Sequence, residues 1–293
     1  MSQQPSLRLG ARWRFRPCHG GLARRAPLLA CAAALVLWAP TLGAQTSWEP
    51  AGAASPAWAR ADSLLQAGDP EGAFAALAAH LVTEPDDFEA RWRAVGIAVA
   101  LSVLGDTHVA RRGWALEADA HGRELLRVRP NDPEALAWAA AARGRHALNE
   151  EGLRDPARLA KETWALTESL LSVRPDHPLG NHVRGKLCQQ VAGLPRAARL
   201  FGRVFLGGTL VGQGTWERAE EHHLRAVRGD PGMVYFYLDL GETYVAQGAA
   251  EAASRVYRAG LAVPARHPLD EGFKRLMSQR LSALGGQPGA SLR

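Results

Sequence analysis

Two clusters and one thiol in this sequence have the residue types for chemistry. Glu220-Glu221-His222-His223 places a carboxylate and an imidazole three residues apart, the spacing with which the helices of di-iron bundles present Glu and His to a metal. Such a site needs the motif on two helices plus further inward glutamates. No second copy is present, so His223 is expected at a packing position and the carboxylates in solvent. Glu117 and His121, four apart, are a weaker version, and there is no His-Glu-x-x-His. Gly207 to Thr215 has the glycines of a phosphate loop, but Gln213 stands where the lysine is required and no strand precedes it. An ordinary loop is expected there, with Thr215 capping the next helix. Cys188 has His182 six residues earlier on a different face of the same helix, so no general base activates it and a buried thiol is expected. No catalytic constellation remains. The chain is expected to be non-enzymatic, with no cofactor and no metal.

The elements that position these residues are helices. From Pro56 onward, runs with apolar residues three and four apart alternate with Pro, Gly and Asp stops. Gly68-Asp69-Pro70 is one such turn, between expected helices 56–67 and 69–83. A repeat of 45 residues follows. Leu125-Leu126-Arg127-Val128-Arg129-Pro130-Asn131-Asp132-Pro133 recurs as Leu170-Leu171-Ser172-Val173-Arg174-Pro175-Asp176-His177-Pro178, and Pro85 lies 45 before Pro130. A leucine-ended helix, a proline stop and a second proline at the first turn of the next helix suit stacked hairpins. The spacing predicts helices over 87–104, 111–128, 132–148, 155–173, 249–263 and 268–284, the last a cap with Lys274, Arg275 and Arg280 towards solvent. Between Pro178 and Pro231 the spacing stretches to 53 residues, leaving room for an inserted helix over 195–205 and a loop over 207–214. In that helix Leu200, Phe201 and Val204 form an apolar stripe and Arg196, Arg199 and Arg203 a basic one. Trp58, Trp92, Trp138 and Trp164 recur at interhelical positions and are expected in the core.

The charge of the chain is uneven. There are 35 Lys plus Arg against 29 Asp plus Glu, yet residues 1–44 hold six of the arginines and no acid, so bases and acids balance in the remainder. A nucleic-acid footprint needs clustered surface cations, and none is expected. The leader has an arginine-rich start ending at Arg25, an apolar run of 14 residues from Ala26 to Ala39, and a short exit to Ala44. This is the form of a secretory signal peptide, residues 1–44, and implies an exported protein of the periplasm or cell envelope. Retention as an uncleaved membrane anchor is the alternative. Residues 45–55 form a flexible lead-in, 56–284 the helical repeat domain, and 285–293 a disordered tail. Cys18 and Cys31 lie in the leader, which leaves Cys188 alone and no intrachain disulfide.

The stretch from Pro231 resembles tetratricopeptide packing: Tyr237, Leu240-Gly241, Tyr244, Gly248, Ala253, Tyr257, Gly260-Leu261 and Pro264 span close to the period of about 34 residues of such a repeat. The expected fold is therefore all-α, a right-handed α-solenoid of stacked tetratricopeptide-like hairpins with about 12 helices. The resemblance sharpens at Asn181-His182-Val183-Arg184-Gly185-Lys186-Leu187-Cys188, Ala192-Gly193-Leu194-Pro195, Thr215-Trp216-Glu217-Arg218-Ala219, Leu240-Gly241-Glu242-Thr243-Tyr244 and Val263-Pro264-Ala265-Arg266-His267. There the chain resembles the regulator of microtubule dynamics family. That resemblance implies a non-enzymatic helical adaptor associated with microtubules and organelle membranes, while the leader fits an envelope protein better.

In such a solenoid the first helix of each hairpin faces the concave side. The proline registers place His182, Lys186, Gln189 and Gln190 on one groove-facing helix and Tyr235, Leu238, Glu242 and Val245 on another. The first functional expectation is a scaffold that binds a peptide or protein partner in this groove. The alternative is a carrier of a lipid-like apolar ligand in the superhelical tunnel, or a tether at a membrane surface. Nucleic acid is not an expected partner.

Overall fold

The computed structural model describes residues 56–152, 154–195, 198–199 and 208–285. Within them the chain forms twelve helices and no strand: α1 (Pro56–Gln66), α2 (Pro70–Thr83), α3 (Phe88–Leu104), α4 (His108–Val128), α5 (Pro133–Asn149), α6 (Arg154–Val173), α7 (Pro178–Ala192), α8 (Gly208–Gln213), α9 (Trp216–Gly229), α10 (Val234–Ala246), α11 (Ala250–Ala262) and α12 (Pro268–Gly285). They build a right-handed tetratricopeptide-like solenoid. The leader, the lead-in and the tail lie outside the described residues, as does most of the expected helix over 195–205 with its two stripes. Of the basic stripe only Arg199 is described; its guanidinium donates to the Gly214 carbonyl at 3.1 Å.

The repeat seen in the sequence is a repeat of helix starts. Asp87, Asp132 and His177, 45 residues apart, each follow a proline stop and each cap an inner helix. Asp87 accepts from the Ala90 N–H at 3.0 Å, Asp132 from that of Ala135 at 3.0 Å and the His177 ring from that of Gly180 at 3.2 Å. Gly68, at φ 80°, supplies the left-handed residue that ends α1, as Gly248 at φ 74° does for α10.

Two boundaries differ from expectation. Helix α4 begins three residues before Arg111, because the Thr107 hydroxyl accepts from the Ala110 N–H at 3.1 Å and starts the helix there. The segment expected to loop over 207–214 contains α8, whose Leu210 and Val211 are buried. Apolar burial turns these glycine-flanked residues into a helix, and the phosphate-loop pattern dissolves with it.

Helices α3, α5, α7, α10 and α12 form an inner row, and α4, α6, α9 and α11 cover it from outside. Hairpins close where a small residue meets a large one: a Cβ on Gly241 of α10 would lie 2.1 Å from the Tyr257 ring of α11. The tryptophans serve the packing as expected. Trp92 and Trp138 stack at 5.7 Å between α3 and α5, and the Arg184 guanidinium of α7 lies 3.6 Å over Trp164 of α6. Helix α12, expected to cap the end of the solenoid, also returns to its beginning. It touches α1 and α3, and Gly272 comes so close to Leu104 that a Cβ would meet that side chain at 2.7 Å. The inner row thereby closes into a ring.

Candidate ligand chamber

The ring encloses a chamber of about 810 Å³. One side of its wall is rich in small residues, Gly96 and Ala100 of α3, Ala141 and Gly144 of α5, and Ala157 and Ala160 of α6, set among the larger Val99, Trp138, Arg145 and Leu148. Interiors normally pack to a density that leaves few voids larger than a water. Here the outer helices fix the inner ones, and side chains too short to meet across the ring leave the middle open.

The opposite wall is aromatic and ionic. His182 of α7 lies between the rings of Tyr235 and Phe236 of α10, with centroids at 4.7 Å in both cases, and Tyr235 stacks in turn on Phe273 of α12 at 4.7 Å. Behind these rings sits Asp239. Its carboxylate receives Lys186 Nζ at 2.8 Å, and His182 Nε2 lies 3.2 Å from its second oxygen. Burial alone would raise the Asp239 carboxyl, but the Lys186 charge and the His182 contact outweigh it and hold the group well below the ordinary carboxylate value. Burial pushes the neighbouring Tyr235 phenol up, Asp239 adds to this, and Arg145 of α5, which also reaches that hydroxyl, opposes it. Arg145 is anchored by donating to the Ser102 hydroxyl at 3.0 Å and the Ser102 carbonyl at 2.6 Å.

His223 of α9 fills the space beneath α7, fully buried against Gly185, with no hydrogen-bond partner for either ring nitrogen. Burial drives its pKa well below the ordinary value, so the ring is neutral packing, as the sequence suggests. Its neighbour in the sequence motif, Glu220, instead accepts from the Tyr244 hydroxyl at 2.8 Å, so the two do not converge. Among the described residues no three His, Cys, Asp or Glu side chains come together as metal ligands. Cys188 faces the Gln213 carbonyl at 3.6 Å, and burial raises its thiol to about 11. The His182, Asp239 and Lys186 side chains together place a charge-balanced polar spot in an apolar wall.

The eight residues predicted to face the groove separate into two sets. His182, Lys186, Gln190 and Tyr235 line the chamber. Gln189 is buried without lining the chamber, Leu238 is core, Glu242 accepts from Arg280 at 2.6 Å, and Val245 is an exposed surface residue. The reason is geometric: α10 offers the chamber only its first turn, and its later turns pass beyond it. Sequence reasoning missed Asp239, Arg145 and Phe273. Asp239 had a signal, as a carboxylate between Leu238 and Leu240 in an otherwise apolar half-helix. Arg145, beyond the run Ala139–Ala142, and Phe273 had none.

The model of the family described as "Regulator of microtubule dynamics protein 1-3" matches residues 57–285, the whole of the ring. The chain belongs to that family. No curated protein matches it. Among solved structures, the tetratricopeptide protein TTC0263 of Thermus thermophilus is similar with a TM-score of 0.52 at 15% identity, covering 77% of this chain and 97% of its own. MamA of Desulfovibrio magneticus RS-1 gives a TM-score of 0.37 at 18% identity over 69% of this chain and 90% of its own. Human IFIT1, solved as a dimer with PPP-AAAA, gives 0.38 at 17% identity over 72% of this chain and 49% of its own. At such identities the likeness to TTC0263 shows the fold and nothing finer. Membership in the microtubule-regulator family and the likeness to TTC0263 both point to a tetratricopeptide-like scaffold fold.

Proposed function

We propose that this scaffold works by enclosing a small apolar-bodied ligand in its central chamber, without catalysing a reaction on it. The observation that carries this is the closure of α12 onto α1 and α3, which turns an open groove into a chamber of about 810 Å³, within the range of roughly 300–1,000 Å³ typical of small-molecule sites. The alternative drawn from the sequence, an apolar ligand in the tunnel, thus gains weight over the open peptide groove. Extraction of the purified full chain with organic solvent, followed by mass spectrometry, tests it: a stoichiometric hydrophobic molecule is expected, and an empty extract from protein that also takes up no apolar probe contradicts it.

A peptide or protein partner remains the second reading, favoured by Gln190, which is exposed on α7 while it lines the chamber beside Lys186. Alanine at Lys186, Gln190 and Tyr235 together separates the two, since only a peptide site loses a captured protein while apolar uptake persists. Export to the cell envelope is part of the proposal and rests on the arginine-rich, then apolar, first 44 residues; fractionation of cells checks it. No described helix is long and apolar enough to cross a membrane. The microtubule role in the family's description is not carried over.

A further inference from the structure

Three side chains with permanent positive charge line the chamber, and their surroundings differ. Lys186 is bound to Asp239 at 2.8 Å and Arg266 to Asp230 at 3.0 Å. Arg145 donates only to Ser102, a neutral residue, and to the Tyr235 hydroxyl, and no carboxylate among the described residues reaches it at ion-pair distance. The remaining acid of the wall, Asp270, is occupied by the backbone N–H groups of Arg266 and His267 at 2.9 and 3.2 Å. Among the described residues the chamber therefore holds one guanidinium, that of Arg145, with no carboxylate paired to it, at the edge of a wall rich in alanine and glycine. An uncompensated cation beside low-dielectric surface is costly, and an anion that enters the chamber relieves that cost.

The geometry points to a long-chain carboxylate, a single-chain amphiphile whose head binds Arg145 and whose hydrocarbon lies along Gly96, Ala100, Ala141 and Ala160; this rests on the chamber reading above. Three features select that class. The guanidinium matches a carboxylate in charge and in planar, two-pronged shape, and Ser102 already holds it in place, so little side-chain freedom is lost on binding. The Tyr235 hydroxyl, kept protonated by burial and reached by both Arg145 and Asp239, makes this end of the chamber the polar one, where a head group belongs. The volume of about 810 Å³ takes one long chain, whereas the paired chains of a diacyl phospholipid with their head exceed it. A phosphate dianion would also require more than one free cation, and among the described residues that line the chamber Arg145 alone has no carboxylate partner.

The test compares hexadecanoate with hexadecanol on the delipidated full chain, by displacement of a fluorescent apolar probe. The wild type is expected to bind the carboxylate about tenfold or more tightly than the alcohol, the factor that a charge-assisted hydrogen bond in a shielded site supplies. Arg145→Gln is expected to remove that preference by weakening the carboxylate alone, and Arg145→Lys to keep part of it. If Arg145→Gln does not fold, as judged by circular dichroism, Arg145→Met takes its place, since it keeps the apolar stem. Equal binding of acid and alcohol by the wild type overturns the assignment of the head group and leaves the chamber reading standing. A preference that survives both neutral substitutions overturns the role of Arg145. Extraction of dipalmitoyl phosphatidic acid from vesicles in preference to hexadecanoate overturns the single-chain class, and failure of every probe to bind overturns the chamber reading itself.

Discussion

The two walls of the chamber are built on opposite rules. The wall from α3, α5 and α6 is rich in alanine and glycine, with Val99, Trp138, Arg145 and Leu148 among them; the wall from α7, α10 and α12 carries, among aliphatic side chains, a connected set of rings and charges from Phe273 through Tyr235 and His182 to Asp239 and Lys186. One wall provides room and the other provides rigidity. A change in the first wall should fall into empty space, whereas a change in the second should strand a buried group or force a clash. Stability and ligand capacity are thereby separated onto different helices of one ring.

The largest effect is expected at Asp239. Asp239→Ala leaves Lys186 and His182 facing each other without the carboxylate, and breaking a buried pair in this way costs roughly 3–5 kcal/mol. Lys186 can hydrate through the chamber, so about 3 kcal/mol is expected in chemical denaturation. A loss comparable to that of a surface substitution would erase the distinction between the walls.

Two glycines sharpen the comparison. In Gly185→Ala the new Cβ meets the His223 ring at 2.9 to 3.0 Å, and that ring is fully buried and cannot yield. Overpacking of this kind costs about 1–3 kcal/mol. In Gly144→Ala the nearest atom is Thr163 Cγ2 at 3.4 Å, an ordinary contact, so the helix propensity of alanine dominates and a gain of about 0.5–1 kcal/mol is expected. The same substitution thus has opposite signs in the two walls, and thermal melts of the pair read it directly.

Buried histidines give the fold a pH dependence on both sides, since burial and Arg91 also lower His121 of α4 to about 4. His223 is held neutral in the fold by burial, and His222, depressed by burial and the nearby Arg184, falls to about 4. Below the ordinary histidine value of about 6.5 the unfolded chain takes up protons that the folded chain refuses, so stability is lost as the pH falls from there towards 4. The melting temperature should drop over that range, and His223→Leu should shallow the slope. An unchanged slope would mean that His223 is protonated in the fold.

Much of the architecture was legible in the sequence because it is local. The prolines at 85, 130 and 175 mark the caps Asp87, Asp132 and His177, and Gly241 with Tyr257 marks a hairpin contact. Of the chamber's polar residues, His182, Lys186 and Gln190 followed from helical register on α7 and Tyr235 from that on α10. Ring closure was not legible, since it depends on a small rotation accumulated over many hairpins, and its one local trace is Gly272 against Leu104. Arg145 and Phe273 could not be placed near Tyr235 either: they lie on other helices of the inner row, and which of their side chains meet depends on the angle at which the hairpins stack.

The central claim, that the ring encloses a ligand and that the small wall makes room for it, is tested most directly by native mass spectrometry of the full chain beside Ala141→Phe and Ala160→Phe. Both substitutions place a ring in the open volume. One bound hydrophobic molecule per wild-type chain, and none on the two variants at unchanged melting temperature, is the predicted result. A ligand retained at full occupancy on both folded variants would contradict the account.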